Sequence, residues 1–286
     1  MRVVVTGAGG QLGHDVARVC AEAGDDVTGL SHAELDVGDR DAVRAAISAA
    51  RPDVVVHCGA WTAVDACEGE PDRAWRANAL GARWVAESAG LVGAHLVHVS
   101  TDYVFDGTKP SPYVEWDQPN PLSVYGRSKH GGEQEVRAVL PGATIARAAW
   151  VCGANGRNMV RTVLELLAAD PDRELAFVDD QIGSPTFTAD LAVTLRQLGA
   201  RRVPGTFHTT NQGSTSWFGF VGDVLEAAGA RRQQVRPIST AELEPPRPAP
   251  RPANSVLDNA ALRLTDLPPL PDYHESLLAL VKEFLS

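Results

Sequence analysis

The chain opens with a strand, a glycine-rich turn and a helix, and then keeps alternating strand with helix. Arg2–Thr6 is a short, β-branched apolar run. Gly7-Ala-Gly9-Gly10-Gln11-Leu12-Gly13 follows it directly and leads into a helical stretch to about Ala23. Further strands are expected at Asp26–Leu30, Val54–Cys58, His95–Ser100 and Ala143–Ala149. Helices are expected at Arg40–Ala50, Pro71–Gly90 and Ser123–Leu140. Parallel strands need long crossovers, and helices supply them. The pattern predicts an α/β fold, a Rossmann-type doubly wound parallel sheet. Ligands in such sheets bind beyond the carboxyl ends of the strands. Gly7, Gly59, Ser100-Thr101 and Trp150 all fall at strand ends, hence on one rim.

Beyond Trp150 the rhythm becomes irregular. A helix is expected over 157–169, strands over 175–178 and 205–210, and a helix from about Thr188. The expected division is a dinucleotide-binding domain over 1–150, with 175–212 returning to it. Residues 151–174 and 213–286 would form a smaller substrate-binding lobe. Six prolines within 237–252 are too many for a helix or an interior strand. They predict an extended arm, either on the surface or laid beside a substrate.

A formal charge of −10 argues against nucleic acid or an anionic membrane as the main partner. No apolar run approaches the roughly 18 residues that span a bilayer. Arg2 leads straight into the first strand without a signal-peptide pattern, so a cytoplasmic protein is expected. Cys20, Cys58, Cys67 and Cys152 are scattered with no C-x-x-C, which predicts neither a metal site nor a disulfide framework.

The glycine loop sits where a phosphate-binding turn has to sit. Gly7 permits the tight turn, Gly10 lets the backbone approach a pyrophosphate at the helix N-terminus, and Gly13 lets helix and strand pack. The second strand ends Gly29-Leu30-Ser31-His32. That end carries no carboxylate for a ribose 2′-hydroxyl and no Arg for a 2′-phosphate, so NADPH is expected with NADH open; Glu34 could reverse the preference. Asp36 either hydrogen-bonds the adenine amino group with Val37 beside the ring, or caps the following helix. Small residues at Cys58-Gly59-Ala60 and Thr62 leave room for the cofactor.

Tyr125 and Lys129 lie four apart on one helix face. An ammonium beside a phenol favours the phenolate, which predicts a lowered Tyr125 pKa. Thr101 stands 24 residues upstream at a strand end. Together with a nicotinamide, these groups suit carbonyl reduction: Tyr125 supplies the proton, Lys129 tunes it and holds the ribose, and Thr101 bonds the carbonyl oxygen. Ser100 could replace Thr101, but strand alternation lets only one of the two point inward. His98 reads as a satisfied core histidine, and His130 as facing away.

Several segments carry a family resemblance: Ser100-Thr-Asp-Tyr-Val-Phe-Asp106, Pro121-Leu-Ser-Val-Tyr-Gly-Arg-Ser-Lys129, Arg147-Ala-Ala-Trp-Val151, Asp180-Gln-Ile-Gly-Ser-Pro-Thr186 and Arg251-Pro-Ala-Asn-Ser-Val-Leu-Asp258. With these the chain resembles the extended short-chain dehydrogenase/reductases, and within them the dTDP-4-dehydrorhamnose reductase family. The resemblance implies NADPH- or NADH-dependent reduction of the C4 ketone of dTDP-4-dehydro-L-rhamnose, or of another dTDP-linked 4-keto-6-deoxysugar. It implies catalytic Thr101, Tyr125 and Lys129, and Asp102, Tyr103 and Val104 beside the sugar. It also implies Trp150 against the ring, and Asn158 and Arg251 toward the dTDP portion. A guanidinium pairs bidentately with phosphate, though Arg251 could equally be a solvated surface charge.

Three positions depart from the family pattern. His14 stands where some members carry an acidic residue for a Mg2+-dependent dimer, with only Asp15 acidic nearby, so a monomer or a metal-free homodimer is expected. Trp61 replaces the usual Tyr, and Ala149 the usual Thr. Two other readings remain. A non-catalytic NADP-binding subunit would show decay of Thr101, Tyr125 and Lys129, which are intact. A dehydratase would need a second acid after Asp102, where Tyr103 stands.

Overall fold

The computed structural model describes all 286 residues. Its first half is the expected alternation. β1 (Arg2–Thr6), α1 (Gln11–Glu22), β2 (Asp26–Leu30), α2 (Arg40–Ala50), β3 (Val54–His57) and α3 (Val64–Gly69) come first. A helical rod follows, made of α4 (Pro71–Trp75), a π-helical turn (Arg76–Leu80) and α5 (Gly81–Leu91). Then come β4 (His95–Thr101), α6 (Val124–Val139) and β5 (Thr144–Ala148). The long helix expected over 71–90 is therefore interrupted. Single π turns often mark functional sites, and this one carries Asn78, 1 % exposed.

The second half contains β6 (Val151–Cys152), α7 (Met159–Ala169), β7 (Leu175–Val178), β8 (Ile182–Gly183), β9 (Thr186–Phe187), α8 (Thr188–Ala200) and β10 (Gly205–His208). It ends with β11 (Thr215–Ser216), α9 (Trp217–Ala227), β12 (Val235–Ile238), α10 (Ala260–Arg263) and α11 (Tyr273–Leu285). The main sheet is six-stranded and parallel, in the order β10-β5-β4-β3-β1-β2. Its direction of winding reverses between β1 and β3, where a doubly wound sheet opens its ligand crevice.

The inner strands β1, β3, β4 and β5 are buried on both faces, as a parallel sheet requires, while the edge strand β2 has no buried residue. Val3, Val5, Val56 and Val97 pack with residues of α1 and α8 such as Val16, Leu191 and Leu195. Val4, Val55, Leu96 and Ile145 pack with Val43, Ile47, Val85 and Val136 of α2, α5 and α6 on the other face. Each fully buried Val or Leu contributes about 1.5–3 kcal/mol.

One part of the expected division needs correction. Of the segment 175–212, only 188–208 returns to the main sheet. β7 pairs with β12 instead, and Leu175 joins Val160, Val163, Phe220, Leu225 and Leu277 in a separate core under α7, α9 and α11. Pro237 lies within β12 of this two-stranded pair, an edge position where its missing N–H is tolerated. The arm beyond is not wholly superficial: Ala249 is 2 % exposed. No helix is long and apolar enough to cross a membrane.

Candidate active site

The glycine loop is a cradle that side chains would fill. Gly7 has φ +71°, and a Cβ there would lie 2.8 Å from Gly59 N, where the ends of β1 and β3 meet. A Cβ on Gly13 would come within 2.2 Å of Gly7 O, so the first turn of α1 packs directly on the loop. Gly10 caps α1 without a side chain, which leaves the helix N-terminal N–H groups open to an anion. These features fit a dinucleotide pyrophosphate.

The other expected cofactor residues line the same rim, with differences. Leu12 is buried in the sheet core, so only its backbone borders the loop. The Gln11 side chain is fully engaged across the crevice: its Oε1 accepts from Gly153 N (3.0 Å) and Asn158 Nδ2 (2.8 Å), and its Nε2 donates to Arg157 O (3.0 Å). At the end of β2, Ser31 donates through N (2.8 Å) and Oγ (2.6 Å) to Glu34. A carboxylate therefore does stand where the strand end alone showed none. Asp36 is exposed and accepts from Gly38 N and Arg76, while Asp39 caps α2, so the capping alternative for Asp36 does not hold. Val37 packs under Gly59 and Gly81. The Cys58 thiol, pushed up to about 12 by burial, is inert. Ala60 and Thr62 flank Trp61, which Asn78 grips through both its N–H and its carbonyl (2.8 and 3.1 Å).

β4 delivers Thr101 and α6 delivers Tyr125 and Lys129 to one place. Ser123 caps α6 by accepting from Gly126 N (3.1 Å). A Cβ on Gly126 would meet Tyr103 O at 2.2 Å, so glycine lets the helix close onto the 102–104 turn. Tyr125 is 8 % exposed, and Thr101, Lys129 and Asp102 are buried too. Burial raises the Tyr125 pKa, opposed by a hydrogen bond with Thr101. The expected lowering is thus not seen, because desolvation outweighs charge here. The phenol stays protonated at neutral pH, the form a proton donor needs. Lys129 is lowered to about 8, again chiefly by burial, and donates to Val99 O at 2.7 Å.

Ser100 points away from Thr101 and donates to Glu133 at 2.7 Å, which leaves Thr101 as the hydroxyl on the site side. Glu133 lies one helical turn after Lys129 and is fully buried. Arg147 grips it bidentately (2.8 and 2.7 Å), and Arg137 adds a third contact at 3.1 Å. These charges hold the Glu133 carboxyl well below its usual range against strong desolvation. His98 is in the core but is not satisfied: neither ring nitrogen has a hydrogen-bond partner. His130 turns toward Glu133 rather than outward, with Nδ1 3.8 Å from it.

The expected substrate residues are only partly gathered. Asp102 accepts from Thr101 Oγ1 at 2.9 Å, its other oxygen lacks a partner, and burial raises its pKa to about 6. Tyr103 stands edge-on to Tyr125, with ring centroids 5.6 Å apart. Val104 is 0 % exposed and packs with Phe105, Tyr113 and Leu257, so its side chain lines core rather than cleft. Trp150 follows β5, whose Ala148 pairs with Thr101. Asn158 caps α7 and holds Gln11, so it sits against the glycine loop and not with the arm. Arg251 pairs bidentately with Asp65 (3.0 and 2.8 Å), and Arg247 lies 3.8 Å from the same carboxylate, so Arg251 is not a free surface charge. Asp15 is spent on Thr188 and Arg18, and no three His, Cys, Asp or Glu side chains cluster as a metal site.

Two positioning residues were not assigned from sequence. Asn78 ties Trp61 to Ser128 (3.0 Å), and Ser128 in turn bonds Tyr125 O (2.8 Å). Glu133 fastens α6 to β4 and β5. An Arg at 147 inside an apolar strand was the available signal, since a buried guanidinium requires a buried anion.

Over residues 1–286 the chain matches the family model described as the RmlD substrate binding domain. It is 43 % identical to a dTDP-4-dehydrorhamnose reductase from Streptomyces griseus, over 96 % of this chain and 91 % of that one. It is also 43 % identical to a probable dTDP-4,6-dihydroxy-2-methyloxan-3-one 4-ketoreductase from Streptomyces antibioticus, over 97 % and 93 %. Among solved structures, a Bacillus anthracis dTDP-4-dehydrorhamnose reductase in complex with NADP superposes with a TM-score of 0.93 at 38 % identity, covering 99 % of each chain. The chain belongs to the RmlD family, the dTDP-4-dehydrorhamnose reductases.

Proposed function

We propose that this enzyme reduces the C4 ketone of a dTDP-linked 4-keto-6-deoxysugar, dTDP-4-dehydro-L-rhamnose to dTDP-L-rhamnose, with NADPH or NADH. The observation that carries the reading is the convergence of Thr101, protonated Tyr125 and Lys129 beside a glycine cradle at the sheet's switch point. A nicotinamide bound on this rim would supply the hydride for C4. Tyr125 donates a hydrogen bond to the carbonyl oxygen, and Thr101, on turning its hydroxyl proton away from Asp102, donates a second, stabilising charge as it develops there. Tyr125 then transfers its proton to that oxygen. Lys129, an ammonium at neutral pH, limits the cost of the transient phenolate and orients the ribose. Gly7, Gly10 and Gly13 with the α1 N-terminus would hold the pyrophosphate, and Asp36 and Val37 would bind the adenine.

The sugar lies against Tyr103 and Trp150, with Asp102 beneath Thr101. Arg251, held by Asp65, faces the dTDP diphosphate. The chain divides into a dinucleotide-binding lobe (1–150 with 188–208) and a lobe that completes the sugar site. The relative from S. antibioticus favours a second reading, a 4-ketoreductase for another dTDP-deoxysugar. Following NADPH consumption with dTDP-4-dehydro-L-rhamnose generated in situ, with the product identified by NMR, tests the first reading. A different ketosugar as the only turned-over substrate supports the second. An enzyme that binds NADPH but reduces no 4-keto sugar refutes both.

A further inference from the structure

Trp150 is held in an unusual way. Its φ is +45°, in the left-handed region that non-glycine residues seldom enter. Such backbone persists where the surroundings over-determine it, commonly at ligand clamps. Here the surroundings are visible. The Trp217 indole stacks on that of Trp150, with centroids 3.7 Å apart and planes 8° from parallel. Gly183 of β8 lies against the Nε1 side, so close that an added Cβ would fall 2.5 Å from the ring. Phe220, fully buried, abuts both indoles edge-on at 6.4 and 6.2 Å.

Trp217 is itself pinned. It is the first residue of α9, and Ser216 before it caps the helix by accepting from Gly219 N (3.0 Å) and donates to Asp179 (2.5 Å). Ser216 also pairs with Ile182, the neighbour of Gly183, in the β11–β8 ladder. The Trp150 indole is therefore held between Trp217 on one face and Gly183 on the other, both in the second lobe. Centroids this close, with planes nearly parallel, are tighter than the offset and edge-to-face arrangements aromatic pairs prefer, so the surrounding packing holds the two indoles together.

We infer that Trp217 is a positioning residue for the sugar site: acting through Trp150, it fixes the aromatic surface against which the substrate's sugar ring is held. The inference rests on the proposed placement of the sugar beside Trp150. Trp217 touches no reacting atom, so its loss removes binding shared by ground state and transition state, which raises KM and spares kcat.

The test is steady-state kinetics with dTDP-4-dehydro-L-rhamnose and NADPH for wild type, Trp217→Ala, Trp217→Phe, Gly183→Ala and Trp150→Ala. The expected result for Trp217→Ala is a KM raised roughly tenfold, kcat within about threefold, and an unchanged NADPH Kd. Its far-ultraviolet exciton couplet, the signature of the stacked indoles, disappears. Trp217→Phe retains the wild-type KM, and Gly183→Ala, which displaces the same indole from the other side, raises it. If Trp150→Ala raises KM while Trp217→Ala leaves it within about twofold, the inference is wrong and the sugar placement stands. If Trp150→Ala leaves KM unchanged, the sugar placement itself is wrong. Equal losses in kcat, NADPH affinity and melting temperature for Trp217→Ala would mark it as merely structural and overturn the inference.

Discussion

Replacing Glu133 with Gln tests what holds the reaction centre together. Glu133 Oε1 accepts from Ser100 Oγ and Arg147 Nε, and Oε2 accepts from Arg147 Nη2 and Arg137. An amide keeps the shape, but its NH2 must face a guanidinium in either orientation, so one arm of the bidentate pair is lost. Arg147 is 1 % exposed and then keeps a buried charge without its counter-ion. Breaking a buried pair from one side costs about 3–5 kcal/mol. For a chain of this length, with an unfolding entropy of about 2.1 cal/mol/K per residue, that lowers Tm by roughly 5–8 °C. Because the same carboxylate fastens Ser100 next to Thr101 and sits one turn from Lys129, kcat/KM falls as well. Replacing both partners, Glu133→Leu with Arg147→Met, removes the buried charges together and recovers at least half of the lost Tm. Thermal denaturation followed by circular dichroism, beside kinetics, decides it. A Glu133→Gln protein melting within about 1–2 °C of wild type would refute the reasoning.

Three further outcomes follow from the site. With Lys129 lowered to about 8, its ammonium is lost as pH rises through that value, so kcat/KM declines on the alkaline side with an apparent pKa near 8; a profile flat to pH 10 would contradict this. Glu34, on Ser31 at the end of β2, suits a free ribose 2′-hydroxyl and opposes a 2′-phosphate. Glu34→Ala should therefore raise the NADPH-to-NADH ratio of kcat/KM by about tenfold, or 1.4 kcal/mol, and an unchanged ratio would remove Glu34 from cofactor choice. Asn78→Ala unties Trp61 from the Tyr125 helix and should lower kcat by roughly 10–100-fold while NADPH still binds; full activity would show that the brace is unnecessary.

The sheet was legible because parallel strands announce themselves as continuous apolar runs between helices, and Val3–Val5, Val54–Val56 and Leu96–Val99 are such runs. The placement of Tyr125 and Lys129 one turn apart on α6 was legible from their spacing. Four things were not. Leu175–Val178 has a strand's composition, but its partner is 60 residues away at Val235–Ile238, and nothing local distinguishes a small second sheet from the main one. The direction of the Tyr125 shift depends on how completely tertiary packing removes water, which residue spacing does not encode. That Arg251 is held bidentately by Asp65, 186 residues away, is likewise invisible in the local sequence. Val104 sits in a motif beside the site while its side chain fills core, because the 102–104 turn sends successive side chains in different directions.

The most direct test of the central claim is Tyr125→Phe, assayed for NADPH oxidation with the 4-keto sugar and for NADPH binding. Phe keeps the ring packed against Cys67 and Ala74 and removes only the hydroxyl. The account predicts an unchanged Tm and NADPH Kd, with kcat reduced by about 10²–10⁴-fold. A folded Tyr125→Phe protein that still turns over at the wild-type rate would contradict Tyr125 as the proton donor.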